Sequence, residues 1–248
     1  MTDTCETKRT GGLFFRLTGA AQRDHMAPYK GEHDEPIDSA SFLQDVKVLR
    51  RVEIVVTGDP ERVQRLGSVL TRVQRELTSN PNQTVDMRVT AFMDDCLHST
   101  GWSTTPHDIR SELDGWHCYE SETRLAQAFR ATAAEHGRRG KIDSIILVAN
   151  RLDEPVNEVR QAASSLNKLS IALHALVLKP QQALLNSYKQ IVAVAKGHAV
   201  PINTLKGVGE AMPMLMYSMF PNFRMQALPA PDDPGAKQLR LLLAAPTR

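Results

Sequence analysis

Thiols and imidazoles gather in one stretch of this 248-residue chain: Cys96-Leu97-His98, His107 and His117-Cys118. Such side chains ligate zinc, which wants four of them, deprotonated and tetrahedral. Their spacings match no common zinc pattern, and cysteine is often simply buried. A Cys/His nucleophile is the other chemistry on offer. Combined with Asp59, the Cys96/His98 region would make an enzyme of doubly wound class acting on a small substrate, the alternative to a binding module. Other catalytic signatures are missing. No Gly-x-Ser-x-Gly elbow occurs. There is no Gly-x-x-x-x-Gly-Lys-Ser/Thr loop and no complete Gly-x-Gly-x-x-Gly after the first predicted strand. Gly207-Val208-Gly209 follows the last predicted strand without a third glycine or a placed acidic ribose contact, which leaves a plain helix entry.

Those groups are positioned by the elements around them, and the run 141–150 is the central one. Ile145, Ile146, Leu147, Val148 and Ala149 are continuously apolar, as a parallel strand buried on both faces requires. Upstream, Val52, Ile54, Val55 and Val56 form a first strand ended by Thr57-Gly58-Asp59-Pro60-Glu61. Asp59 suits an N-cap, Pro60 the first helical position and Glu61 the positive end of the helix dipole. The helix that follows carries Val63, Leu66, Val69, Leu70, Val73 and Leu77 on one face. Residues 85–93 alternate apolar and polar, a second strand nearer the sheet edge. Residues 94–119 are harder to read, with a short helix over 107–113 and both tryptophans, Trp102 and Trp116. A helix over 122–135 precedes the central strand. A strand–helix rhythm then continues: helix 155–169, strand 171–178, helix 181–196 with Gly197 as its C-terminal cap, strand 198–202, and helix 204–220, which Pro213 should kink. The expected class is α/β, a doubly wound, mostly parallel sheet with helices on both faces. Sites in such folds form beyond the carboxyl ends of the strands, where strand order reverses.

Composition narrows the function classes. Apolar residues make up 42% of the chain and aromatic ones 5%, so the core must be mostly aliphatic. A net charge of +2 gives no field strong enough to indicate nucleic acid or an anionic membrane. The arginines at 62, 65, 72 and 75 are mixed with Asp59, Glu61 and Glu76 and read as a solvated face. No apolar run approaches the roughly 18–20 residues that cross a bilayer, and the polar N-terminus is no secretory signal. Three scattered cysteines fit a reducing compartment without a disulfide framework, hence an expected cytoplasmic location. Residues 1–48 read as an N-terminal arm, irregular except for the apolar stretch 13–17. Residues 49–222 are the domain, and 223–248 a Pro-rich C-terminal tail.

From about residue 51 to 220 the chain resembles a von Willebrand factor type A domain. Three places carry the likeness: the strand leading through Thr57-Gly58-Asp59-Pro60-Glu61 into a long helix; Val89-Thr90-Ala91-Phe92-Met93-Asp94-Asp95; and Ile145 to Asn150 with Asp153-Glu154-Pro155, followed by strand 171–178 and the helix that ends at Gly197. The resemblance implies a divalent metal, often Mg²⁺, at the top of the sheet, held by Asp-x-Ser-x-Ser, a Thr and a later Asp. Here those positions read Thr57, Asp59, Glu61, Thr123 and Asn150. The first and last carboxylates and both serines are gone. The residues then imply a degenerate site, with Asp59 capping a helix, and no cofactor is expected. A rearranged Mg²⁺ site on Asp59, Glu61, Thr57 and Thr123 is the competing reading.

By the same resemblance, the expected function is non-catalytic binding of another protein subunit, as a scaffold or assembly component. Trp102, Trp116 and His117 are the first candidate surface, because aromatic groups anchor partners. Leu239, Leu241, Leu242 and Leu243 are the second, a short apolar patch suited to adding a strand or helix to another subunit. For each surface the competing expectation is packing onto its own domain.

Overall fold

The computed structural model describes residues 48–57, 60–77, 83–93, 96–116, 122–138, 140–220 and 228–244. All of them lie in one compact unit, Val46–Arg248; the chain divides from a first unit, Met1–Asp45, at that point. The apolar stretch 13–17 lies outside the described residues.

Six strands form one sheet: β1 (Val48–Val56), β2 (Gln83–Met93), β3 (Cys96–Ser99), β4 (Ser144–Ala149), β5 (Ala172–Leu178) and β6 (Ala199–Ile202). Their spatial order is β3-β2-β1-β4-β5-β6, parallel throughout except for β3, which runs antiparallel to β2. Seven helices are described: α1 (Pro60–Leu77), α2 (Pro106–Asp114), α3 (Leu125–Glu135), α4 (Val156–Lys168), α5 (Gln182–Ala193), α6 (Leu205–Ser218) and α7 (Pro234–Ala244). The doubly wound architecture is as expected. β4 is buried at every position, with β1 on one side and β5 on the other.

Alternation along the strands divides the interior into two cores. Val52, Ile54, Val56, Ile146, Val148 and Leu176 point to one face, where Leu66 and Leu70 of α1, Ile109 of α2, Met212 of α6 and Leu239 of α7 meet them. Val55, Ile145, Leu147, Leu173 and Val177 point to the other, under Phe129 of α3, Val159 of α4 and Tyr188 of α5. Helices on both faces explain the unbroken apolar runs.

Two local features differ from the sequence reading. The stretch after β2 contains a strand, β3, whose four residues are too short for a periodic signal. Gly197 is not the helix cap: the left-handed turn is taken by Lys196 at φ 54. Gly197 instead lies against β5, where a Cβ would sit 1.5 Å from the Leu173 carbonyl oxygen. The helix expected over 204–220 spans 205–218, with Pro213 inside it. Residues 228–244 belong to the same compact unit, with α7 packed on α6 and β6. Among the described residues no helix is long and apolar enough to cross a membrane.

Candidate functional site

Strand order reverses between β1 and β4, so their carboxyl ends define the rim to search. Thr57 follows β1 and Asn150 follows β4, and the sheet brings these two together. The Thr57 N–H donates to the Val148 carbonyl at 3.0 Å, and the Asn150 N–H donates to Thr57 Oγ1 at 3.3 Å. Thr57 is fully buried. The Asn150 Oδ1 atom is buried too and has no hydrogen-bond partner among the described residues.

Behind them stands Tyr188 from α5. Its hydroxyl donates to the Arg151 carbonyl at 2.6 Å and also bonds the Thr57 side chain. Burial, reinforced by the nearby Asp153 and Glu154 charges, pushes this phenol far above its usual range. It is a neutral donor at any ordinary pH.

The loop after β4 supplies the carboxylates. Asp153 Oδ2 accepts the Thr123 N–H at 2.9 Å and pairs with Arg151 Nε at 3.0 Å. The Glu154 carboxylate accepts the Ala126 N–H at 3.1 Å to one oxygen and 3.3 Å to the other. Burial raises the Glu154 pKa, and the backbone donors of Ala126 and Leu125 pull it back. Both acidic groups therefore serve the N-terminal end of α3, where backbone donors go unmatched within the helix and the dipole favours negative charge. The sequence signal was the pair Asp153-Glu154 directly before Pro155 and a helix.

Thr123 is buried beside this loop. Glu61 falls in the first turn of α1, and Asp59 lies outside the described residues. Around the rim, the described oxygen donors are the neutral side chains of Thr57, Asn150 and Thr123 and the carboxylates of Asp153 and Glu154, each of which already accepts a backbone N–H. Hard divalent ions draw on anionic oxygens, and the two described carboxylates are committed to backbone donors at the start of α3. Among the described residues, no three His, Cys, Asp or Glu side chains are grouped as a metal would need.

The remaining candidates separate. Cys96 is half-buried and His98 exposed on β3, and His107 is exposed on α2; His117 and Cys118 lie outside the described residues. Trp102 packs on a core and lies under two guanidinium groups, Arg88 at 4.7 Å and Arg51 at 5.4 Å. Its indole N–H donates to Glu135 at 3.3 Å. Trp116 packs on the opposite core, its ring 6.2 Å from that of His98. Leu239 is fully buried and so leaves the proposed partner patch; Leu241 at 74% and Leu242 at 45% are exposed, and Leu243 is half-buried. Gly207 is not a phosphate cradle: a Cβ there would meet the Asp233 carboxylate at 2.5 Å.

A polar cluster went unread in the sequence. Asp86, Arg88 and Thr90, the polar half of the alternation in β2, are buried under α3. Glu53 of β1 accepts from the hydroxyls of Thr90 and Thr132, each at 2.6 Å, and pairs with Arg88 at 3.0 Å. Arg88 also binds Glu135. A lone Glu53 inside Val52-Glu53-Ile54-Val55 was the available clue.

In sequence the chain matches no protein-family model and none of the curated proteins compared. Solved structures do resemble it. The conserved hypothetical protein BatB from Bacteroides thetaiotaomicron aligns with a TM-score of 0.54 at 11% identity, over 68% of this chain and 98% of that one. An aerotolerance-related membrane protein from Bacteroides fragilis aligns at 0.51 and 11%, over 67% and 98%. Proximal thread matrix protein 1 from the mussel byssus aligns at 0.51 and 12%, over 69% of this chain and 46% of that one. With this strand order and these likenesses, the fold is that of a von Willebrand factor type A domain.

Proposed function

We propose that this chain is a non-catalytic protein-interaction or scaffold subunit whose rim is held by its own hydrogen bonds in place of a cation. The observation that supports this reading is the pair of carboxylate-to-backbone links, Asp153 to Thr123 and Glu154 to Ala126. They tie the loop after β4 to the start of α3, the two segments that a rim cation would otherwise bridge. Tyr188, Thr57 and Asn150 complete a neutral, interlocked floor. The partner is another protein, since a rim closed on itself leaves outer surfaces as the working parts.

Two measurements test this. Millimolar Mg²⁺ or Mn²⁺ leaves the melting temperature of the protein unchanged, whereas Asp153→Ala lowers stability by about 1–3 kcal/mol through the loss of a charged hydrogen-bond acceptor. A metal-induced rise in melting temperature overturns the metal-free rim. Tagged protein recovered from its native cell brings down a stoichiometric protein partner; recovery of the chain alone counts against the scaffold role.

A further inference from the structure

Helices α1 and α6 leave a groove of about 390 Å³ between them. Arg65 and Arg72 line it from α1 and Lys206 from α6, and its floor is made by Val69, Leu205 and Gly209. The floor is tight because Gly209 has no side chain: a Cβ there would lie 3.3 Å from the Val69 methyl group. The walls are exposed. Arg65 is open to solvent, and the side chains of Arg72 and Lys206 are 42% and 57% accessible. Glu210 lies near Arg72 at 3.9 Å and Lys206 at 3.7 Å, but its side chain is only 6% accessible. Its second oxygen is occupied by the N–H groups of Asp232 and Asp233. The charge of Glu210 is thus turned inward, while the Asp232 carboxylate, 78% accessible, lies out on Lys206.

The chain itself shows what these cations take. The exposed carboxylate of Asp232 reaches Lys206 Nζ at 2.6 Å. We infer that the α1–α6 groove docks an acidic segment of a partner protein, carboxylates on Arg65, Arg72 and Lys206 and an apolar side chain on the Val69–Leu205 floor. This builds on the scaffold reading and gives it a surface. An apolar floor adds selectivity for peptide over other polyanions, and the lining residues include no aromatic ring on which a base would stack. The same arginines that read as a solvated face in the sequence gain a role from the helix that packs beside them.

The test uses the full chain and a fluorescein-labelled peptide, Glu-Glu-Leu-Leu-Glu-Glu, titrated by anisotropy. Controls are Lys-Lys-Leu-Leu-Lys-Lys, Glu-Glu-Ser-Ser-Glu-Glu and a single-stranded oligonucleotide. The acidic leucine peptide binds more tightly than every control, and Arg65→Glu/Lys206→Gln weakens it about tenfold at an unchanged melting temperature. Should the double variant melt early, Arg65→Glu alone at its exposed position weakens binding about threefold. Equal binding by wild type and variants overturns the groove, as does equal binding of the serine peptide or the oligonucleotide. The double variant as bait separates the two proposals. A native partner it retains overturns the groove and leaves the scaffold reading standing, while a wild-type bait without partners removes that reading and leaves the peptide titration to judge the groove.

Discussion

Glu53 and Arg88 are a charged pair set into the sheet, with side chains 2% and 8% accessible. Burying both charges is offset only because each is met several times: Glu53 by two threonine hydroxyls and Arg88, and Arg88 by Glu135 and the face of Trp102. Desolvation alone would lower the Arg88 pKa, and the two carboxylates raise it beyond its usual value. Removing one partner strands the other, so Glu53→Ala costs about 3–5 kcal/mol in urea unfolding. Glu53→Leu with Arg88→Met removes both charges and recovers most of that loss; a double variant as unstable as the single one refutes the pairing argument. His174 is the other residue whose burial has a measurable consequence. It lies stacked on His198 at 5.7 Å, and its Nδ1 accepts the His198 N–H at 3.2 Å. Burial, then the nearby His198, pushes its pKa down to about 3. The neutral ring is therefore the folded form, while the unfolded chain takes up a proton near pH 6.5. The stability this group contributes is complete above pH 6.5 and is lost as pH falls toward 3, at about 1.4 kcal/mol per pH unit. His174→Gln keeps an acceptor and flattens that slope relative to wild type between pH 6.5 and 4. Parallel slopes for the two proteins contradict the assignment.

At the scale of elements, the seam around Asp233 decides what the C-terminal segment is. Asp233 Oδ1 accepts the N–H groups of Gly235 and Ala236 at the start of α7, and Oδ2 accepts the Asn203 N–H after β6. Gly235 touches the sheet: a Cβ would lie 1.5 Å from the Pro201 carbonyl oxygen. Gly235→Ala must push α7 off β6, at a cost of about 1–3 kcal/mol, and exposes Leu239 to limited proteolysis. An unchanged cleavage pattern and melting curve would show that α7 is not held there. Periodicity made the other helices legible from Leu66, Val159 or Ile191, because each presents an apolar stripe. It failed for α7, where Leu239, Arg240, Leu241, Leu242 and Leu243 crowd together and nothing local says that Leu239 and Leu243 turn inward while Leu241 and Leu242 face out. It failed also for β2, whose polar positions looked outward until α3 covered them. At the rim, Thr57 and Asn150 were legible because strand ends in parallel sheets converge. Tyr188 was not, since it comes from a helix more than thirty residues downstream of Asn150 and reads as one more apolar position.

For the molecule as a whole, a six-stranded sheet with open ends has two edges to protect, and the two are protected unequally. β6 carries Pro201, which has no N–H to offer a neighbour, and α7 begins against it at Gly235. β3 has four residues, two of them exposed, and its ladder is the single antiparallel pairing with β2. β1, β4 and β5 lie between, clad on both faces by the two cores. Amide hydrogen exchange should therefore sort by depth in the sheet. Protons of β4 and of its partners in β1 and β5 exchange only when the whole domain unfolds. Those of β6 exchange through a smaller opening that includes α7, and those of β3 fastest, through an opening of the β2–β3 edge. Gly235→Ala should lower protection in β6 toward the level of β3 while leaving β4 at the global limit set by its reduced stability. β3 amides protected as strongly as those of β4 would show that the antiparallel edge is covered by something other than the described residues.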